Sequence, residues 1–413
     1  MAIISSSPRD TTLPESDSRV PHDRGVEPAH AWRGLLVDSS RTFWSIDTMR
    51  TIIALMARYG LNTLHWHLTD DAGWRFPVPG YPSLTTAGAT MPREPYSWYD
   101  NVDADHRQAT WNDAPEESTC GFYTADEIRG LVTFARECGI TIVPEVDIPG
   151  HMAAAIYAYP ELGCPRLAGL LPTTRRWRND MLWPSEDSLR FIEAALDTVC
   201  TLFDSPIIHV GGDECRWDEW EADVSLMERT QTQGAQSGAD IQRMFLSHSA
   251  RVLSERGRTI AGWDEIVDMA GADLPSDALI LGWREDGVGR GQALASGRRW
   301  VLCDADLLYL NRLAGPAAEE PTGMNGIITP WRIRDELPAL ARGDGLVGVQ
   351  ACAWSEFLTT PDLLFYHLLP RLLVIAEIAW HGQEALPWSE LSNLLTSEIE
   401  ELREIGFPCR ALA

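Results

Sequence analysis

Residues 187–214, DSLRFIEAALDTVCTLFDSPIIHVGGDE, contain the pattern on which the whole chain is built. Apolar residues at helical spacing predict an amphipathic helix over 187–203. A near-continuous apolar run at 206–211 then reads as a buried parallel strand. The strand runs into Gly211-Gly212 and ends at two carboxylates, Asp213 and Glu214. The glycines allow close backbone approach, and the acids project from the strand's C-terminal end.

The same unit recurs on both sides. Further strands are predicted near 35–38, 62–68, 140–146, 258–263, 278–283, 299–303 and 347–353, making eight with 206–211. Helices are predicted at 47–59 (capped by Asp47, stopped by Gly60), at 125–138 (opened by a Thr124-x-x-Glu127 capping box), and near 240–256, 362–380 and 388–404. Strand–helix alternation repeated eight times is the signature of a (β/α)8 TIM barrel, an α/β fold. An open doubly wound sheet fits less well, because no glycine-rich phosphate loop follows the first strand. The barrel is assigned to 29–413, behind a polar N-terminal arm at 1–28. Two long irregular loops interrupt it, 77–121 with Trp98, Tyr99 and Trp111, and 304–346, rich in Pro and Gly. No internal repeat is evident.

Composition narrows the function. Sixty acidic residues against 34 basic ones give a formal net charge of −26, a field that repels a phosphate backbone and argues against nucleic acid. No apolar run reaches the length of a membrane span. The N-terminal stretch lacks the apolar core of a cleavable leader, so the expected location is cytoplasmic. The eight cysteines are scattered without a CxxC pair, which fits buried free thiols better than a metal cluster. Seventeen tryptophans in 413 residues exceed the needs of a core, and flat aromatic faces stack on sugar rings.

Acids and tryptophans meet at the strand ends. Asp70-Asp71 follow the second strand, and Glu145, Asp147 and His151 the third. Trp263-Asp264-Glu265, Trp283-Arg284 and Trp354-Ser355-Glu356 close later ones. A rim both anionic and aromatic suits a neutral polyol, since carboxylates accept hydroxyl hydrogen bonds while indoles wall the ring. A metal reading competes: His65-Trp66-His67 is an H-x-H near the end of an early strand, as in metal-dependent amidohydrolases, and His151, His209 and Asp213 could complete the set. Both imidazoles precede the terminal Asp70, however, which favours core histidines with hydrogen-bonded partners. No metal or other cofactor is expected.

Taken together, RGLLVDSSR (33–41), LNTLHWHLTDDAGWR (61–75), VPEVDIPGH (143–151), HVGGDE (209–214), GWDEI (262–266), LGWRED (281–286), YLNR (309–312) and AWSEF (353–357) resemble glycoside hydrolase family 20, the β-N-acetylhexosaminidases. The resemblance covers roughly residues 32–380. It implies a retaining exo-acting enzyme that removes terminal N-acetylglucosamine or N-acetylgalactosamine, with the sugar's own 2-acetamido oxygen as nucleophile. Glu214 would be the general acid and then base, its pKa raised by the nearby Asp and aromatic walls. Asp213 would accept the acetamido N–H and Tyr309 would hold the acetamido oxygen. Asp70 and His151 would relay to Glu214. Trp263, Trp283 and Trp354 would wall the sugar, with Arg41 and Glu356 on its distal hydroxyls.

Three departures from the family carry further expectations. Many members place a separate α/β domain before the barrel, whereas here about 30 residues precede it. The expectation is a barrel lacking that domain, with compensating stability from elsewhere, such as a second subunit of a homo-oligomer. Secreted relatives have a disulfide after the third strand. Cys164 resembles one half of it, but Trp183 stands where its partner is expected, in keeping with a reducing compartment. Asn311-Arg312 resembles the arrangement of relatives that tolerate a 6-sulfate on N-acetylglucosamine, because a carboxylate at 311 would repel the anion. The remaining alternatives are a metal-dependent amidohydrolase of amino sugars and a catalytically inactive sugar-binding barrel. In each case the partner is a glycan or amino sugar.

Overall fold

The computed structural model describes residues 20–22, 25–90, 120–168, 180–232, 234–270 and 273–412. Eight parallel strands close on one another: β1 (Trp32–Asp38), β2 (Thr63–His67), β3 (Thr141–Glu145), β4 (Ile207–His209), β5 (Thr259–Trp263), β6 (Leu279–Gly282), β7 (Trp300–Leu302) and β8 (Leu346–Ala353). Each pairs with its sequence neighbours, and β8 pairs with β1 to seal the ring. All eight expected strands are present, because a strand flanked on both faces must be apolar along its length and is therefore conspicuous.

Helices cover the outside: α1 (Ile46–Arg58), α2 (Ala125–Glu137), α3 (Glu186–Leu202), α4 (Gly238–Glu255), α5 (Glu265–Ala270), α6 (Val288–Ala295) and α7 (Pro330–Leu340) lie in chain order between the strands. After β8 come α8 (Pro361–Leu368), α9 (Arg371–His381) and α10 (Trp388–Glu404). The capping box at Thr124 and Glu127 forms in full. For α1 the cap is Ser45, whose hydroxyl accepts from Thr48 N at 3.1 Å, so Asp47 lies inside the first turn and is not the cap. The expected single helix over 362–380 is two helices meeting at 48°. Pro370 has no N–H to continue the ladder and drives Leu369 into an extended conformation (φ −102°, ψ 129°).

The segment 304–346 is not an irregular loop. It contains a short strand pair, Arg312–Leu313 with Met324–Ile327, and then α7, whose Thr329 cap and Pro330 start the helix as such residues do. Its Pro and Gly content marks several short elements in succession. Of the other long loop, Pro82–Thr85 forms a 3-10 turn, while Trp98, Tyr99 and Trp111 lie outside the described residues. The first residues of the arm lie outside them too, but its last part packs on the barrel. Val20 is fully buried, His22 N and Nδ1 reach Glu377 at 3.0 and 2.6 Å, and Ala29 N donates to Trp380 O. Among the described residues, no single helix is long and apolar enough to cross a membrane. All eight cysteines are free, with Cys164, Cys303, Cys352 and Cys409 buried.

The closing seam between β1 and β8 admits no side chain at Gly348, since a Cβ there would overlap the Trp32 carbonyl oxygen. Gly348→Ala therefore forces the strands apart. It is expected to lower stability by about 2 kcal/mol, within the usual range for overpacking, read as a fall in the urea midpoint at constant slope. An unchanged midpoint would show that the seam is not closely packed.

Candidate active site

Strand register places chemistry in layers. Asp38, His67, Glu145 and His209 are consecutive partners across β1, β2, β3 and β4, so their side chains share the barrel interior. Glu145 is fully buried and is met by His67 Nδ1 at 2.5 Å, His209 Nδ1 at 2.8 Å, His65 Nε2 at 3.1 Å and the indole N–H of Trp263 at 3.0 Å. Burial works against its charge, but the surrounding imidazoles hold it well below the usual carboxylate range. Burial lowers His65 to about 4, while for His67 the opposing pull of Glu145 and Asp70 wins and raises it to about 10. His65 and His67 are thus occupied with carboxylates, as core histidines. Of the other residues of the conceivable metal set, His209 groups with His65 around Glu145, while His151 and Asp213 cluster separately with Asp147.

Above this layer opens a cavity of about 420 Å³, lined among others by Arg41, Asp70, His151, Asp213, Glu214, Trp283, Tyr309, Arg312, Trp354 and Glu356. Ten of the twelve site residues expected from the sequence therefore converge on one pocket. Trp263 does not line it: at 1% exposure it backs the floor, 5.8 Å from Trp354 between ring centroids. Asn311 is also fully buried, with Nδ2 3.5 Å from Glu356 Oε2, so it supports Glu356 from behind.

The Gly-Gly-Asp-Glu turn explains itself sterically. Gly211 and Gly212 have φ of 62° and 90°, and a Cβ on Gly211 would overlap the Asp147 carboxylate. That carboxylate accepts from Gly212 N at 3.0 Å. Glu214 and His151 themselves adopt left-handed backbone (φ 49° and 51°) without being glycine, a strain that recurs where side chains must be aimed. Their tips meet, His151 Nε2 standing 3.5 Å from Glu214 Oε2, while His151 Nδ1 faces Asp70 Oδ1 at 3.4 Å. Asp70 is fixed in turn by Arg41 at 2.7 Å and His67 at 2.9 Å.

Charge is distributed unlike the expectation. Burial opposes protonation of His151, yet Asp70 and the neighbouring acids lift it well above the ordinary imidazole value. The hydrogen bond from His151 then lowers Glu214, whose side chain is 60% exposed. The raised carboxyl is Asp213: burial, reinforced by Asp147, pushes it well above the usual range. The expected elevation of Glu214 is thus corrected for the open pocket, because no wall covers that side chain there. Asp213 Oδ1 is buried without a hydrogen-bond partner in the protein, a costly state that a donor from a ligand would relieve.

Aromatic groups complete the enclosure. Tyr309 stacks on Trp283 at 6.1 Å and 13°, and the Arg41 guanidinium lies 5.2 Å from the Trp354 ring centroid. Trp283 Nε1 donates to Glu265 at 2.8 Å, and the same side chain accepts from Glu214 N at 3.3 Å. Glu356 is raised to about 7 by burial, against the pull of Arg41.

The description "Glycosyl hydrolase family 20, catalytic domain" matches residues 30–383. The chain belongs to glycosyl hydrolase family 20. It is 33% identical over 372 residues to a β-hexosaminidase of Porphyromonas gingivalis, covering 86% of this chain and 43% of that protein. To the Akkermansia muciniphila β-hexosaminidase it is 30% identical, covering 89% and 72%. The family 20 fold also superposes on the exo-β-N-acetylglucosaminidase of Vibrio harveyi, solved with N-acetylglucosamine, with a TM-score of 0.80 at 28% identity, covering 93% of this chain and 59% of that one. The chain thus spans about half the length of the first curated relatives it matches.

Several residues that support this family 20 site carry no role assignable from sequence. Asp147 and Glu265 were visible as strand-end acids, yet nothing in their spacing separates a wall carboxylate from a positioning one. Glu285, which receives the Arg312 guanidinium, and Arg371, which is buried and donates to Leu310 O at 2.7 Å and Arg312 O at 2.9 Å, act across long sequence separations.

Asp70 is the principal anion holding the His151 proton. Because that pKa is raised, the pair's contribution to stability is full below the unfolded imidazole value of about 6.5. It fades as pH rises through the higher folded value. Asp70→Asn is expected to return His151 deprotonation toward about 6.5, followed by imidazole NMR. A His151 titration indifferent to the substitution would separate the two groups.

Proposed function

We propose that this barrel is a retaining exo-β-N-acetylhexosaminidase working through the 2-acetamido group of a terminal N-acetylglucosamine or N-acetylgalactosamine. The observation that carries the reading is the adjacent Asp213 and Glu214 at the mouth of β4, one half-buried with a buried, unpartnered oxygen, the other open to the cavity and touching His151. Neighbouring residues on one turn point apart, so they suit two tasks better than the facing roles of an ordinary retaining pair.

In the first step the acetamido oxygen attacks the anomeric carbon as the glycosidic C–O bond breaks, and Glu214 delivers its proton to the leaving oxygen. Substrate covering the exposed Glu214 removes water and raises its proton affinity, with His151 as the proton donor at hand. The acetamido N–H and the developing positive charge favour the ionised form of Asp213, which accepts that N–H and offsets the oxazolinium, while Tyr309 fixes the acetamido oxygen, so the nucleophile arrives oriented. In the second step water adds at the same carbon, Glu214 takes its proton, and the acetamido group is restored with retained configuration. Trp283 and Trp354 wall the ring, and Glu356 with Arg41 receives distal hydroxyls. The free thiols support a cytoplasmic setting.

Release of chromophore from an aryl β-N-acetylglucosaminide tests this reading. Turnover is expected to survive EDTA and to fall by about 10²–10⁴ in Glu214→Gln, the usual contribution of a general acid–base. Absent turnover in the wild type favours a sugar-binding barrel, and turnover abolished by EDTA favours a metal amidohydrolase.

A finer part of the proposal is acceptance of 6-sulfated N-acetylglucosamine. Its support is Arg312 in the pocket wall together with the neutral amide of Asn311. A sulfate must compete with Glu285, which already holds the guanidinium. Asn311→Asp places a second carboxyl beside Glu356 and is expected to reduce turnover of the sulfated sugar relative to the plain one by about tenfold, the effect of roughly 1.4 kcal/mol. An unchanged ratio defeats the sulfate reading.

A further inference from the structure

The charged layer at the base of the pocket contains a histidine, His67, that borders the cavity and that the proposed mechanism does not use. Both ring nitrogens of His67 face carboxylates, Nδ1 at 2.5 Å from Glu145 and Nε2 at 2.9 Å from Asp70. A carboxylate accepts and does not donate, so both nitrogens must carry protons and the ring is an imidazolium. We propose that His67, clamped between Glu145 and Asp70, is a positioning residue that controls proton delivery by Glu214 through Asp70 and His151. This deepens the glycosidase reading and rests on it.

The geometry supplies the path. Asp70 Oδ2 is pinned by His67 and by Arg41, and Oδ1 by Asp71 N at 2.6 Å. Three donors fix the plane of the carboxylate and turn Oδ1 toward His151. His151 is also faced by Asp71 at 3.4 Å and Asp213 at 3.9 Å, and reaches Glu214 at 3.5 Å. The His67 and Trp354 rings lie nearly perpendicular with centroids 5.0 Å apart, and Asp38 is beside His67 in register. Glu145 is shared with His65 and His209. Without the imidazolium, Asp70 loses one of the cations that aim it. Its charge then falls more fully on His151, which holds its proton more tightly and gives it up less readily to Glu214.

The test compares His67→Gln with wild type on two glycosides of N-acetylglucosamine. The leaving group of the phenyl glycoside needs a proton, and that of the 2,4-dinitrophenyl glycoside departs without one. Glutamine keeps a donor toward Asp70 but carries no charge. kcat for the phenyl glycoside is expected to fall about ten- to a hundredfold, part of what a general acid contributes, with its alkaline limb moved to higher pH. The dinitrophenyl glycoside is expected to change by less than about threefold, as expected for a defect confined to proton transfer. Equal losses on both substrates, with thermal unfolding unchanged, would overturn the proposal in favour of a purely structural role, as would no loss on either.

A readout independent of the variant's folding, and of turnover, is imidazole ¹⁵N NMR of the wild type. His67 is expected to stay doubly protonated from about pH 5 to 9, the range below its raised value, and its shifts should follow the titration of Glu214 and lose that step in Glu214→Gln. A singly protonated ring at pH 6, or shifts blind to Glu214, would refute the coupling even if the wild type hydrolyses neither glycoside. In that last case the glycosidase reading fails while the coupling is still decided.

Discussion

A single carboxylate, Glu145, lies fully buried inside the barrel with three imidazoles and an indole N–H directed at it. An isolated charge there would cost several kcal/mol in lost solvation, and removing one partner from such a buried pair typically costs about 3–5 kcal/mol. The strands β2, β3, β4 and β5 each contribute to this cluster, so their register is tied to its geometry. A slip of one residue in any of them would turn an imidazole or the indole outward and leave the carboxylate short of a partner. The polar core thereby fixes the height at which each strand ends, and with it the height of the residues just beyond.

The pocket is built directly on those strand ends. From β2 the chain runs through His67 to Asp70, from β3 through Glu145 to Asp147 and His151, and from β4 through His209 to Asp213 and Glu214. One layer of charge therefore orients the next. Asp147 also shows why the β4 turn requires glycine: its carboxylate occupies the space a Gly211 side chain would take, while bonding the next amide. Arg75 extends the same logic outward. It is fully buried and donates to the carbonyls of Ser39, Ser40, Ala89 and Gly121, tying the loop after β1 to the loop after β2.

The distribution of protons depends on exposure as much as on neighbours. Asp213 and Glu214 adjoin in sequence and have opposite tendencies because one is the more enclosed and lies near Asp147 while the other reaches solvent and His151. Adjacent carboxyl groups on one turn thus differ in proton affinity, the kind of separation that can serve two chemical tasks. The same principle places Glu356 near neutrality, at about 7, in a wall that Arg41 only partly compensates.

The sequence by itself determined the eight strands, most of the helices and the rim of acids and tryptophans, because periodicity, glycine stops and caps are local consequences of backbone geometry. It located ten of the pocket's wall residues, since a barrel always gathers its strand ends on one face. Tertiary structure decided what depends on distance in space. Trp263 became floor and Asn311 a support, because the depth of a side chain in a barrel depends on strand tilt and on what its neighbours fill. Glu214 had its proton affinity lowered and Asp213 raised, since the cause in each case is a partner or a burial that no spacing reveals. Pro370 splits a helix that reads as continuous by its apolar content, and His65 and His67, which a motif reading could give to a metal, are held by Glu145 from a strand far along the chain. A linear pattern states which groups are available, and only the closed barrel settles which of them meet.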